Sequence, residues 1–195
     1  AAGPRNWHKL AEVIRRVEAK RAAGWPITAD MYPYHASSTG LDAIMPGWAL
    51  DGGHEAWIAR LKDPETRTRI LADLRYTGTD RENPFMELET TDNILVTAFK
   101  NDALKQYSGK TLTEVGALRG QDPLETALDL IVEDDSRVGT VFFSMSEENV
   151  RREVGLPWVS FCSDSASLAT EGLFLKYHPH PRSYGAFARV FAKYV

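Results

Sequence analysis

Asp164 closes the apolar run Trp158-Val159-Ser160-Phe161-Cys162 after a single serine. A carboxylate at the exit of a strand is where α/β proteins keep their chemistry. Buried there unpaired it would be costly, so it takes a metal, a catalytic proton or a loop amide as its partner. The bland alternative is a loop-capping aspartate. A second segment, Ile27 to Tyr34, runs into His35-Ala36-Ser37-Ser38-Thr39-Gly40, a small loop rich in hydroxyls. His178-Pro179-His180 has the i, i+2 spacing of a metal-binding pair on a strand, but the proline between the histidines puts them in a loop and argues against an independent metal site. Asp30 sits within a strand and is expected to bond a neighbouring loop. No G-x-S-x-G, phosphate-loop or G-x-G-x-x-G pattern occurs, so serine hydrolases, NTPases and dinucleotide enzymes lack their signatures.

The elements that must position these residues read as α/β. Asn6 can cap a helix over 7–23 with Trp7, Leu10, Val13, Ile14 and Val17 on one face and Gly24 as the stop. Pro26 resets the chain for a strand over 27–34, so helix and strand together form the αβ half of a βαβ unit. Short helices are expected at 55–61, 64–74, 111–118 and 123–132, a strand at 94–99 and a polar loop at 75–86. A β-branched strand at 138–143 leads to a helix at 147–154 started by Ser146, with two acids in its first turn. A buried strand at 158–163, a long loop to about 183 and a final helix close the chain.

The bounds are informative. At 195 residues the chain can bury a core but is short for a closed (β/α)8 barrel, which needs about 250. It opens on alanine and ends at Tyr194-Val195 in an amphipathic segment, so a piece of a longer polypeptide is expected. A net charge of −4 with interspersed signs offers no basic stripe for nucleic acid and no polybasic run for a membrane. No apolar stretch of about 18 residues is present. Cys162, the single cysteine, fits a reducing, cytoplasmic compartment, and within an apolar strand it reads as a buried inert thiol.

Three motifs carry a resemblance. TADMYPYHASSTGL at 28–41, SDS at 163–165 and HPRSYGAFARVFAKYV at 180–195 are together similar to the D-aminoacylase (N-acyl-D-amino-acid deacylase) branch of the amidohydrolase superfamily. The opening AAGPRNW at 1–7 also looks like the stretch that follows a metal-binding histidine there, and the likeness is weakest from about 50 to 135. The resemblance implies the C-terminal portion of a (β/α)8 metal-dependent hydrolase barrel with a mostly helical insertion. Residues 1–45 would supply a barrel helix, strand and substrate loop, 46–137 an insertion over the barrel mouth, and 138–195 the last barrel strands, the Asp and Arg segments and the start of the final helix.

In such enzymes zinc is held at the strand ends by histidines, a cysteine and an aspartate. Asp164 matches that aspartate, which implies roles as metal ligand and as the base that takes a proton from attacking water and returns it to the leaving nitrogen. Arg182 is implied as partner of the substrate α-carboxylate, because a guanidinium offers a two-pronged match. Tyr32 and Ser38 would donate hydroxyls to the same carboxylate, and His180 would order the loop presenting Arg182. Ser165 stands where the family usually has glycine, which puts the local turn in question.

The substrate implied is a small N-acyl-D-amino acid, cleaved to D-amino acid and carboxylate, with Zn as cofactor of the parent and this piece alone inactive. Alternatives are a non-catalytic interaction domain whose open strand edges favour self-association, or a different cyclic amidase of the same superfamily.

Overall fold

The computed structural model describes residues 2–78, 80, 83–172 and 178–195. Two compact units emerge: Ala1–Ser37 with Ser144–Val195, and Ser38–Phe143. Of the expected loops, residues 79, 81, 82 and 173–177 lie outside the described residues.

In the first unit the chain opens with a 3₁₀ turn, Pro4–Lys9, and continues into α1 (Leu10–Ala22). This corrects the single helix expected from Trp7. Pro4, with φ already near its helical value, begins the turn earlier, and the Asn6 side-chain amide bonds back to the Ala2 carbonyl at 3.0 Å instead of capping. Gly24, at φ 89°, stops α1 as expected. Leu10 and Ile14 of α1 bury against Trp158, with Val17, Leu156 and Val159 packed around them.

β1 is only Ala29–Met31, shorter than the strand expected over 27–34. The Tyr34 N–H donates to the Tyr32 carbonyl at 3.0 Å across Pro33, which has no N–H to offer a ladder, so the backbone turns there. β1 runs parallel to β6 (Val159–Phe161) in the register Ala29 to Val159, Asp30 to Ser160 and Met31 to Phe161. β6 is likewise shorter than the 158–163 expected, and it is not buried: Val159 and Phe161 are half-buried and Ser160 is exposed. Ser160 Oγ donates to the Asp30 carboxylate, so Asp30 bonds the neighbouring strand and not a loop. Cys162 is half-buried rather than buried, its N–H extending the ladder to the Met31 carbonyl at 2.9 Å. Between these strands α7 (Glu147–Val154) starts at Ser146, whose hydroxyl accepts from the Asn149 N–H, and α8 (Arg182–Tyr194) follows β6.

The second unit holds a sheet in the order β2-β5-β3-β4, made of β2 (Ser37–Gly40), β5 (Gly139–Phe142), β3 (Ile94–Ala98) and β4 (Lys110–Thr111). β5 is antiparallel to β3, with a bulge between Val96 and Ala98. The strand expected at 138–143 is present as β5, which lies between β2 and β3 in this sheet. Helices α2 (Gly47–Leu50), α3 (Gly53–Lys62), α4 (Pro64–Leu74), α5 (Leu112–Arg119) and α6 (Pro123–Asp134) pack with this sheet. Their starts follow local chemistry. Asp63 and Asp122 cap helices that begin with proline, and Thr111 and Glu114 form a reciprocal capping box. Leu41, Ile70, Ile94, Val96, Leu112, Leu128 and Ile131 form the dry centre of this unit.

Candidate functional site

The first unit gathers Asp164, Arg182, His180, Tyr32 and Tyr34 around the start of α8. Arg182 is the first residue of that helix and not part of a loop. Its backbone N–H donates to His180 Nδ1 at 3.0 Å, which satisfies one of the amides that a helix start leaves open. His180 is therefore bonded to the backbone at Arg182. Its Nδ1 accepts a hydrogen bond and is committed to the backbone, while His178 is exposed. The i, i+2 pair is therefore split between two environments.

The Arg182 guanidinium lies over the Tyr32 ring, 4.5 Å from its centroid, and Nη1 meets Asp164 Oδ2 at 3.1 Å. The arginine side chain is 11% exposed and the aspartate 62% exposed. The expected buried carboxylate is thus an open one, beyond the end of β6, held from beneath by a sheltered cation. Asp164 also has φ 46°. Aspartate tolerates this left-handed region better than most residues. The strained position is the aspartate itself and not Ser165, the residue at which the turn was in question. Ser165 Oγ instead donates to the Ala166 carbonyl at 3.0 Å and shares a 2.8 Å hydrogen bond with Ser183 Oγ, tying this loop to the first turn of α8.

Burial shapes the titration of the cluster. His180 is pushed down to about 4, first by desolvation and then by the Arg182 charge, so it is a neutral imidazole at pH 7. Burial raises the Tyr32 phenol above its ordinary value against the opposing pull of Arg182, so it remains a protonated donor. The edge of His180 meets Tyr34, ring centroids 5.1 Å apart and nearly perpendicular, and it lies 6.2 Å from Tyr32.

Ser38 is half-buried in β2 and belongs to the second unit. Tyr34, expected to pack in a strand, and Arg189, not singled out in the sequence, also belong to the cluster at the start of α8. Tyr34 carries the Arg189 guanidinium over its ring at 4.5 Å, and Arg189 Nε donates to the Pro33 carbonyl at 2.7 Å. The available signal was the spacing of seven between Arg182 and Arg189, two helical turns, which puts both on one face of α8.

Among the described residues no three histidine, cysteine, aspartate or glutamate side chains converge as a metal site. Asp164 is a single donor already facing a guanidinium, so these residues do not by themselves fit a zinc ion. What the cluster offers is an exposed carboxylate able to exchange a proton and an adjacent cation shaped for another carboxylate.

No family model matches the chain. It is 28% identical over 192 residues to an N-acyl-D-glutamate deacylase of Alcaligenes xylosoxydans xylosoxydans, covering 98% of this chain and 28% of the relative. Its fold is similar to that of N-acyl-D-glutamate deacylase from Bordetella bronchiseptica, solved with zinc and a phosphonate mimic of the tetrahedral intermediate, at TM-score 0.59 and 24% identity. A D-aminoacylase structure described as defining a novel subset of amidohydrolases matches at TM-score 0.55 and 25% identity, and another concerns a binuclear metal centre in D-aminoacylase. Each structural match covers 97% of this chain and 28% of the solved one, so the chain spans little more than a quarter of these proteins. Over nearly its whole length, this chain is similar to an N-acyl-D-glutamate deacylase in sequence and to D-aminoacylases in fold.

Proposed function

We propose that the chain forms part of an enzyme that hydrolyses N-acyl-D-amino acids to a D-amino acid and a carboxylate. The observation that carries this reading is the 3.1 Å pairing of Asp164 with an Arg182 that lies on the face of Tyr32. Arg182 receives the substrate α-carboxylate through its remaining N–H donors, for which a planar guanidinium is shaped. The protonated Tyr32 hydroxyl, and Ser38 in the complete enzyme, donate to the same group. Asp164 takes a proton from water as its oxygen attacks the amide carbon, then delivers that proton to the nitrogen as the C–N bond breaks.

The β1/β6 parallel pair with α1 and α7 is read as belonging to the last part of a (β/α)8 barrel, and residues 46–137 as its insertion. Zinc is named with the Bordetella relative, and Asp164 is proposed as the one ligand this chain would contribute. The other donors would come from parts of a protein of the relatives' length, so the 195-residue chain by itself is inactive. Among the described residues no helix is long and apolar enough to cross a membrane, and the free Cys162 supports a reducing, cytoplasmic setting.

An interaction role is a second reading, favoured by one feature: Tyr184, Phe187 and Phe191 form an exposed aromatic stripe along α8. The test is to assay a protein of the relatives' length that contains this chain, beside the chain itself, against N-acetyl-D- and N-acetyl-L-amino acids. Release of D-amino acid by the longer protein alone supports the hydrolase. Equal turnover of both enantiomers, or robust turnover by the 195-residue chain, overturns the reading as stated.

A further inference from the structure

Arg182 and Arg189 occupy one face of α8, two turns apart, and each lies over a tyrosine of the turn Tyr32-Pro33-Tyr34 at 4.5 Å. Between the two stacks, Arg189 Nε donates to the Pro33 carbonyl at 2.7 Å. The approach is close: a Cβ on Gly185 would stand 2.7 Å from the Tyr34 hydroxyl oxygen, so a side chain there would require the Tyr34 ring to shift. Farther along α8, Lys193 Nζ meets Glu147 Oε1 at 2.6 Å, the Tyr194 hydroxyl donates to the same oxygen at 2.9 Å, and Arg189 Nη2 is 4.0 Å from Oε2. Burial alone would raise the Glu147 carboxyl, but Lys193 and Tyr194 outweigh it and hold it below its ordinary range. The helix is thus anchored at its far end by an ionised carboxylate and near its middle by Arg189.

We propose that Arg189 is a positioning residue for Arg182: by clamping the Pro33 carbonyl and lying on Tyr34, it sets the register of α8 against the Tyr32-Pro33-Tyr34 turn. The Arg182 guanidinium is thereby kept flat on Tyr32 with Nη1 toward Asp164. The consequence for substrate rests on the reading that Arg182 receives the α-carboxylate. Without the clamp, α8 pivots on Glu147, and Arg182 loses the ring beneath it. A lysine at 189 keeps the charge but cannot both donate from a planar Nε–H and stack a flat cation on Tyr34.

The test has two arms. In the isotope-labelled 195-residue chain, His180, which faces Tyr32, Tyr34, Arg182 and His35, is titrated by NMR. It should titrate near 4 in the parent, and Arg189→Gln and Tyr34→Leu should each shift it upward by more than about one pH unit as the site opens to water. Phe191→Ser, on the exposed side of α8, should leave it in place. A variant that merely lowers global stability does not move a folded-state titration, so an unchanged His180 in the folded Arg189→Gln and Tyr34→Leu chains overturns the proposal. If one of these variants does not fold, the other decides.

The second arm uses the longer deacylating protein. Arg189→Gln should raise KM about tenfold with kcat within about twofold, because a carboxylate contact made equally in ground and transition states is weakened, and Arg189→Lys should not restore it. A loss confined to kcat overturns the proposed presentation of Arg182. If the parent releases no D-amino acid, the functional reading fails, while the His180 titration still decides the clamp.

Discussion

Arg182 holds Asp164 at 3.1 Å while keeping nine-tenths of its own side chain out of water and leaving most of the carboxylate in it, 11% against 62% exposed. The asymmetry fits the different duties proposed for the two residues. A sheltered cation on an aromatic face is pre-set for an anion, whereas an open carboxylate can exchange protons with solvent and substrate.

On the proposed function, Arg182→Lys in a protein of the relatives' length should weaken substrate binding about 10- to 100-fold, the range expected when a charge-assisted pair worth about 1.5–3 kcal/mol is lost. KM measured for an N-acetyl-D-amino acid should carry the change, because lysine keeps the charge but not the fork.

Asp164→Asn should lower kcat by about 10²- to 10⁴-fold, the usual contribution of a general base. Thermal unfolding of the same variant should shift by less than about 1 kcal/mol, since the pair is open to water on the aspartate side. A large stability loss with kcat intact would make Asp164 structural.

His180 gives a pH dependence of known sign. Its folded value, about 4, lies below the unfolded one near 6.5, so between these the unfolded chain binds more protons and stability rises with pH. The stabilisation is complete above about pH 6.5 and is lost as pH falls toward 4, with ~3 kcal/mol as its upper bound. Urea unfolding of the first unit at pH 4.5 and pH 7 should show the difference, and His180→Asn should remove it.

In the second unit, Leu128→Ala and Ile131→Ala on α6, both at 0% exposure, should each cost about 2–5 kcal/mol. Neither should change the His180 titration, which belongs to the other unit. Denaturant unfolding and NMR check the two statements together.

What local chemistry encodes was legible in the chain. Asp63-Pro64, Asp122-Pro123, Thr111 and Ser146 mark helix starts because a capping oxygen and the amide it satisfies lie within three residues of each other. The motifs around Tyr32, Asp164 and Arg182 carried a resemblance and a set of candidate residues, and the structure brings these three side chains together. Strand length and partnership were not legible. β1 stops where Pro33 turns the backbone, and β5 pairs antiparallel with β3, more than forty residues earlier, a choice set by long-range packing. Nor could the sequence show that Asp164 would be open to water, or that Arg189 would reach Pro33 across 156 positions. Residue types and short spacings determine caps, turns and candidate chemistry; only the folded chain decides which distant side chains meet, because contacts between residues far apart in sequence depend on every element in between.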